Sequence, residues 1–230
     1  MTAQSQTLTA AHPVQIEVFS DVVCPWCFIG KRRLEQALHR LTAAGERSSA
    51  GVPQVQWRAF QLNPWLPPAG MERAEYVNRK FGSAASGVYT RVAAVGQQVG
   101  IGFAFDRIAR QPNTVDAHRL IRLAGEEARQ DAMVETLFQA YFLEGADLSS
   151  AAVLLGLAQG AGLDPQRAQA CLSDEGTRDA VLDEDRRARE LGVEGVPFFV
   201  FNRRLAVSGA QEPEVLVGAI ERAADEVAHS

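Results

Sequence analysis

Two cysteines separated by two residues, Cys24 and Cys27, directly follow a short alternating segment, and they constrain this chain more than any other feature. Val14, Ile16 and Val18 alternate with Gln15 and Glu17, a period of two that predicts a strand. Pro25 follows Cys24, and Leu34, Ala37, Leu38 and Leu41 then recur at helical spacing. Proline is tolerated at the first helical position, so a helix is predicted to open at Pro25 with Cys24 at or near its N-cap. The cysteine pair thus falls where a strand hands over to a helix N-terminus.

That placement has chemical consequences. The spacing brings two sulfurs close enough to bridge. The unpaired N–H groups and positive dipole end of a helix favour a thiolate in its first turn. Cys24, at the exposed end, is the expected nucleophile, and Cys27, one turn in and more buried, the residue that resolves a mixed disulfide. The competing reading is half of a zinc site, which needs further ligands. Only Cys171, His12, His39, His118 and His229 remain, none at ligand spacing, so no metal is expected. Cys171 stands alone on a predicted helix, Asp164–Leu172, and is expected to be a small buried residue.

Composition removes several function classes. The 230 residues are 47% hydrophobic and 22% charged, which excludes disorder, and three cysteines are too few for a disulfide framework. A net charge of −5 lacks the footprint of a general nucleic-acid binder. The longest strongly apolar stretch, Ala151–Ala158, is far short of the ~20 residues that span a bilayer, so no membrane partner is expected. The first residues have neither a basic start nor an apolar stretch of a secretory leader and read as a polar tail over 1–13; the expected compartment is the cytoplasm.

Farther along, Gly45–Pro53 reads as a loop, and Val55, Trp57 and Ala59 form a second strand, giving a strand–helix–strand unit with a parallel pair. Residues 71–191 read as helices only. Leu120, Ile121 and Ala124 make one apolar stripe; Met133, Val134, Leu137, Phe138, Tyr141 and Phe142 make another; Val181, Leu182 and Ala188 make a third. Asp164-Pro165 reads as an N-cap with its proline. Phe198–Phe201 is a continuous apolar run suited to a strand covered on both faces, followed by a turn at Asn202–Arg204 and a short partner strand at Leu205–Val207. A last helix carries Val215, Leu216, Ala219, Ile220 and Ala223 on one face. This order predicts an α/β sheet split by a helical insertion. Pro197 opens the Phe198 strand, where a proline's missing donor does least harm, and is a candidate cis residue; a plain trans loop is the alternative. A cis bond there would turn the Val196 backbone outward as an edge for an extended peptide.

Ser20-Asp21 before Cys24-Pro25-Trp26-Cys27, with Gly192-Val193, Gly195-Val196-Pro197-Phe198-Phe199 and Gly209-Ala210-Gln211, resembles the DsbA-like thioredoxin family. The resemblance covers about residues 14–225 and points to its FrnE-like branch, related to 2-hydroxychromene-2-carboxylate isomerases and kappa-class glutathione transferases. It implies a thioredoxin fold with an inserted all-helical domain: residues 14–65 and 176–228 as the two parts of the thioredoxin domain, and 66–175 as the insertion. It also implies thiol–disulfide exchange on protein clients, with Cys24 attacking, Cys27 resolving and a cis proline beside them. Val196 and Pro197 would hold the substrate backbone, with Pro25 and Trp26 beside it. Gln111-Pro112-Asn113-Thr114 with Ala117-His118 resembles a pattern of this branch, making Asn113 and His118 candidates for the substrate side of the cleft. The plainer readings are a helix cap for Asn113 and a half-buried side chain for His118.

No resident cofactor is expected beyond the Cys24–Cys27 disulfide itself; glutathione or thioredoxin are the candidate reductants, and glutathione is also a candidate partner. One departure from the family concerns redox direction. DsbA itself carries a histidine between its cysteines, whereas here the position is Trp26, which carries no charge; that favours a reductase, an isomerase or a mild oxidase over a strong oxidant. Two rivals remain: a glutathione-dependent small-molecule isomerase or transferase, which would not need a second cysteine, and a non-catalytic client-binding holdase, which a buried or unreactive Cys24 would favour.

Overall fold

The computed structural model describes residues 13–43 and 52–228. The predicted tail up to residue 12, most of the predicted 45–53 loop, and His12 and His229 lie outside the described residues. The chain begins with β1 (Gln15–Ser20), α1 (Pro25–Ala43) and β2 (Gln54–Ala59). It continues through β3 (Met71–Glu72), α2 (Arg73–Phe81), α3 (Ala85–Gln98) and β4 (Arg110–Gln111). A run of helices follows: α4 (Val115–Glu126), α5 (Gln130–Gln139), α6 (Ala151–Gly160), α7 (Pro165–Ser173) and α8 (Glu175–Glu190). The chain then returns to strands, β5 (Phe198–Phe201) and β6 (Leu205–Ser208), and closes with α9 (Pro213–Ala228).

Four strands make one sheet in the order β2-β1-β5-β6. β1 runs parallel to β2, with Ile16 opposite Val55, and antiparallel to β5, with Val18 opposite Phe199. The antiparallel β5–β6 pair is joined through Asn202 and Arg203, both in the left-handed region. Asn202 suits that turn because its side chain also works: Oδ1 accepts from Gln15 N and Nδ2 donates to Ala223 O, tying the turn to β1 and α9. Ile16, Val18, Phe199 and Phe201 are buried in the main core with Leu34, Leu216 and Ile220 of α1 and α9. Phe19, Phe60, Ala188 and Val193 form a smaller cluster, against which Phe198 and Val200 pack, so β5 is covered on both faces.

The helical segment between β2 and β5 brings its stripes inward as predicted at Leu120, Met133, Leu137, Phe138 and Tyr141, and Asp164 caps α7 ahead of Pro165. Three details differ. Met71–Glu72 and Arg110–Gln111 pair as a two-stranded antiparallel ribbon where only helices were predicted; two-residue strands are too short to show a period of two. Leu182 and Val215 are exposed although both sit in predicted apolar stripes, each lying just off a buried neighbour, Val181 and Leu216. Among the described residues no helix is long and apolar enough to cross a membrane.

α1 is bound to α5 by charge. Lys31, only 2% exposed, sits four residues past Cys27 and is surrounded by Glu35, Asp131 (3.1 Å) and Glu135 (3.1 Å). Arg32 grips both carboxylate oxygens of Glu135, and Asp131 Oδ1 accepts from Trp57 Nε1 at 3.2 Å, which extends the network to β2. A buried ammonium is tolerated only when paired in this way. The hydrogen bond from Arg32 and the positive charge of Lys31 overcome the effect of burial and hold the Glu135 carboxyl at about 2. A depressed carboxylate contributes stability above its unfolded value, and that contribution is lost as pH falls through the folded value. Glu135→Gln is therefore expected to lower unfolding free energy at pH 7 by about 1–3 kcal/mol. Urea titrations should show the gap to the wild type narrowing as pH drops from about 4.5 toward about 2; a gap independent of pH would assign the loss to packing.

Candidate redox site

β1 ends at Ser20, and the chain turns so that Cys24 N donates to Asp21 O at 3.0 Å. The Cys24 carbonyl then accepts from Cys27 N (3.0 Å) and Phe28 N (3.4 Å), so Cys24 caps α1 with its side chain at the unpaired N–H end. Both cysteines of the pair are free thiols. Cys27 has no exposed surface and Cys24 only 4%. The expectation of an exposed Cys24 is corrected here. The segment leading into β5 lies against it, and Cys24 Sγ donates to Val196 O at 3.4 Å.

Cys27 sits behind this contact, bonded by the Ser20 side chain and the Asp21 backbone. Burial pushes its thiol well above the ordinary range, and the hydrogen bond to Cys24 and the charge of Cys24 push in the same direction; the Ser20 and Asp21 contacts oppose them more weakly. The proton accordingly stays on Cys27, as a buried resolving thiol requires until it is called on to attack.

The Val196-Pro197 peptide bond is cis. Pro197 is buried, and its carbonyl accepts from Gly209 N at 2.8 Å, fixing the segment to the far strand. Pro197 in turn lies directly on α1. A Cβ added at Gly30 would stand 2.8 Å from Pro197 Cγ, closer than real Cβ contacts come. Sequence reasoning missed Gly30. Its signal was a glycine inside a helix, where alanine would be about 1 kcal/mol better, so its presence there called for a packing reason.

The remaining predicted residues are placed as follows. Pro25 is half-buried and Trp26 is 36% exposed beside Cys24. His118, on α4, is buried with its Nε2 3.6 Å from Oδ1 of the buried Asp21, and neither atom has a hydrogen-bond partner in the protein. The other Asp21 oxygen accepts from Leu62 N at 2.7 Å. Asp21 thus joins the cysteine turn, the segment after β2 and α4, a role the sequence did not reveal. Asn113 has both ends of its amide engaged within the chain: Oδ1 accepts from Val115 N at the start of α4 (3.0 Å), and Nδ2 donates to Leu66 O (2.7 Å). Cys24, Cys27, Val196 and Pro197 are brought together, His118 joins them through Asp21, and Asn113 braces the segment that carries Leu66. Cys171 lies apart on α7, buried, its thiol contacting Arg119 O at 3.6 Å.

The Gly30–Pro197 contact yields a direct test. Gly30→Ala should cost about 1–3 kcal/mol through overpacking, less the helical gain of about 1 kcal/mol, and slow the reaction of Cys24 with an aromatic disulfide reagent several-fold. A variant that is more stable and reacts as fast as the wild type would show that the close approach has no bearing on the site.

Comparison with known proteins places this geometry. The DSBA-like thioredoxin domain family matches residues 15–221. The crystal structure of the probable DsbA oxidoreductase SCO1869 from Streptomyces coelicolor is similar over 93% of this chain and 91% of its own, with 33% identity and a TM-score of 0.81. Two more distant structures share the fold, each covering 94% of this chain and 98% of its own. One is a 2-hydroxychromene-2-carboxylate isomerase (17% identity, TM-score 0.69). The other is the cytosolic disulfide reductase DsbM from Pseudomonas aeruginosa, solved with GSH (19% identity, TM-score 0.58).

Proposed function

The chain belongs to the DsbA-like thioredoxin family, and from that premise we propose that it is a thiol–disulfide oxidoreductase, a reductase or isomerase of protein disulfides, working through Cys24 and Cys27. The observation that carries this reading is the contact of Cys24 Sγ with Val196 O beside Pro197, with the protonated Cys27 behind it. In the reduction, the Cys24 thiolate attacks one sulfur of a client disulfide. A Cys24–client disulfide forms and the other client sulfur leaves as a thiolate. Cys27 then loses its proton and attacks Cys24 Sγ, forming the Cys24–Cys27 disulfide and releasing the second client thiol, so two electrons pass to the client. Two thiols from glutathione or a thioredoxin-type dithiol return the pair to the reduced state. If a client thiolate, rather than Cys27, attacks the client sulfur of the Cys24–client disulfide, a new client disulfide forms and Cys24 leaves as the thiolate, which is isomerisation with no net electron transfer.

Val196 and Pro197 hold the client backbone in this reading, with Pro25 and the exposed Trp26 as its apolar flank. Trp26 also bears on direction. A charged neighbour stabilises the thiolate and hence the reduced form, which makes a strong oxidant. Trp26 supplies no charge, and the helix N-terminus remains, so the pair is poised for reduction or shuffling in a compartment with a reducing thiol pool, the cytoplasm being the one we propose. The intact second cysteine weighs against a glutathione-dependent isomerase or transferase. The low exposure of Cys24 favours a second reading, a holdase with an unreactive pair, and the two readings predict opposite chemistry.

Reductase activity on insulin separates them. Cys24→Ser should abolish turnover, and Cys27→Ser should accumulate a covalent Cys24–client species visible on non-reducing gels. Iodoacetamide should modify Cys24 at least tenfold faster than Cys27 at neutral pH, since the Cys27 thiol is held protonated. Equal and slow alkylation at both, with no trapped client, would support the holdase.

A further inference from the structure

Between the segment after β2 and helix α2 lies a groove of about 510 Å³ lined by Leu62, Asn63, Trp65, Tyr76, Arg79 and Lys80. It is one residue removed from the redox turn. Leu62 N donates to the Asp21 carboxylate, and Asp21 O accepts from Cys24 N. Leu62 and Val196 also pack on the same small cluster formed by Phe19, Phe60, Ala188 and Val193. A polypeptide held along Val196 therefore has this groove within reach of the residues next to its reacting cysteine.

The groove has a definite chemical character. Its walls are aromatic and aliphatic, and Trp65 is 56% exposed there. Its charges are two cations and no carboxylate, on a chain whose net charge is −5. Lys80 Nζ donates to Tyr76 Oη at 2.7 Å and, among the described residues, is paired with no carboxylate; Arg79 pairs with the exposed Glu75, one turn back on the same helix. Asn63 is buried in the lining. Its Oδ1 accepts from Tyr76 Oη at 3.1 Å, and its Nδ2 has no acceptor in the protein. A buried amide donor without an acceptor is uncommon and calls for an explanation. The segment is also held in shape: Leu66 N donates to Asn63 O at 3.1 Å, and Asn113 grips Leu66 O from α4's side.

We propose that this groove is a subsite for an acidic residue of the client polypeptide, seated beside the disulfide that Cys24 attacks. The carboxylate meets Lys80 and Arg79, the side-chain stem lies on Trp65 and Leu62, and seating it turns the buried Asn63 amide, which lacks an acceptor within the protein, toward the neighbouring carbonyl. Asn113, in this account, is a positioning residue that braces the segment carrying Asn63 and Trp65. The proposal rests on Cys24 being a working nucleophile. A glutathionyl group also carries carboxylates beside a sulfur, so the test separates the two sources.

Disulfide-bonded peptides that differ only by Glu or Gln, with that residue walked over three positions on each side of the target cysteine, supply the probe. At one or two positions the Glu peptide should be reduced about three- to tenfold faster in kcat/KM at low salt, the scale expected of exposed charges, and the preference should fade at 1 M salt. Asn63→Ala should shrink the Glu/Gln ratio, and the double variant Arg79→Glu with Lys80→Glu should invert it. The ratio is an internal control, insensitive to how much variant is folded. Equal rates for Glu and Gln at every position, or a ratio unchanged in the double variant, would overturn the subsite and leave the redox assignment standing. A preference confined to glutathionylated peptides would also overturn it, assigning the cations to glutathione. Failure to reduce any peptide would instead remove the redox reading itself.

Discussion

The site depends on the close approach of α1 to Pro197. Because residue 30 has no side chain, the proline ring lies directly on the helix, and the preceding carbonyl comes to 3.4 Å from Cys24 Sγ. The helix end that favours a thiolate and the backbone edge that can receive a peptide are thereby held in one place. Neither would make a site alone. In the proposed reaction, a helix N-terminus without the Val196 edge would have no means of aligning a client disulfide. The edge without Cys24 has nothing to react.

Around that contact, the helical layer meets α1 and the turn before it in two places, by ion pairs at one and by a close approach at the other. Lys31 and Arg32, just past Cys27, engage Glu135 and Asp131 of α5, and Asp131 reaches on to Trp57 of β2. Nearer the cysteines, Asp21 sits between the turn, Leu62 and His118. The charged network has a cost in desolvation, since replacing such a pair by apolar residues is often neutral; breaking one member is what destabilises.

Much of this was legible in the sequence because it is carried by local pattern. The alternation at Val14–Val18 and the helical spacing after Pro25 located the strand and helix that frame the cysteines, and Pro197 at a strand start marked the facing segment. What stayed hidden was long-range. Nothing local shows that Gly30 meets Pro197, that Asp21 faces His118, or that Asn63, Tyr76 and Lys80 share a groove, because each pairs residues more than ten positions apart in at least one direction. The low exposure of Cys24 was invisible for the same reason: it is covered from a segment 172 residues farther along the chain. The Asn113 side chain was readable as a cap or a ligand, and only the fold shows its second bond, to Leu66.

The central claim is that Cys24 and Cys27 act as one two-electron couple. Equilibrating the protein with glutathione buffers of graded poise, quenching with acid and reading the thiol state by mass tests it most directly. The account predicts a single transition from two thiols to an internal Cys24–Cys27 disulfide, with a midpoint between the ~−270 mV of thioredoxin and the ~−120 mV of DsbA. A protein that instead ends with glutathione stably attached to Cys24 and Cys27 still a free thiol would contradict it.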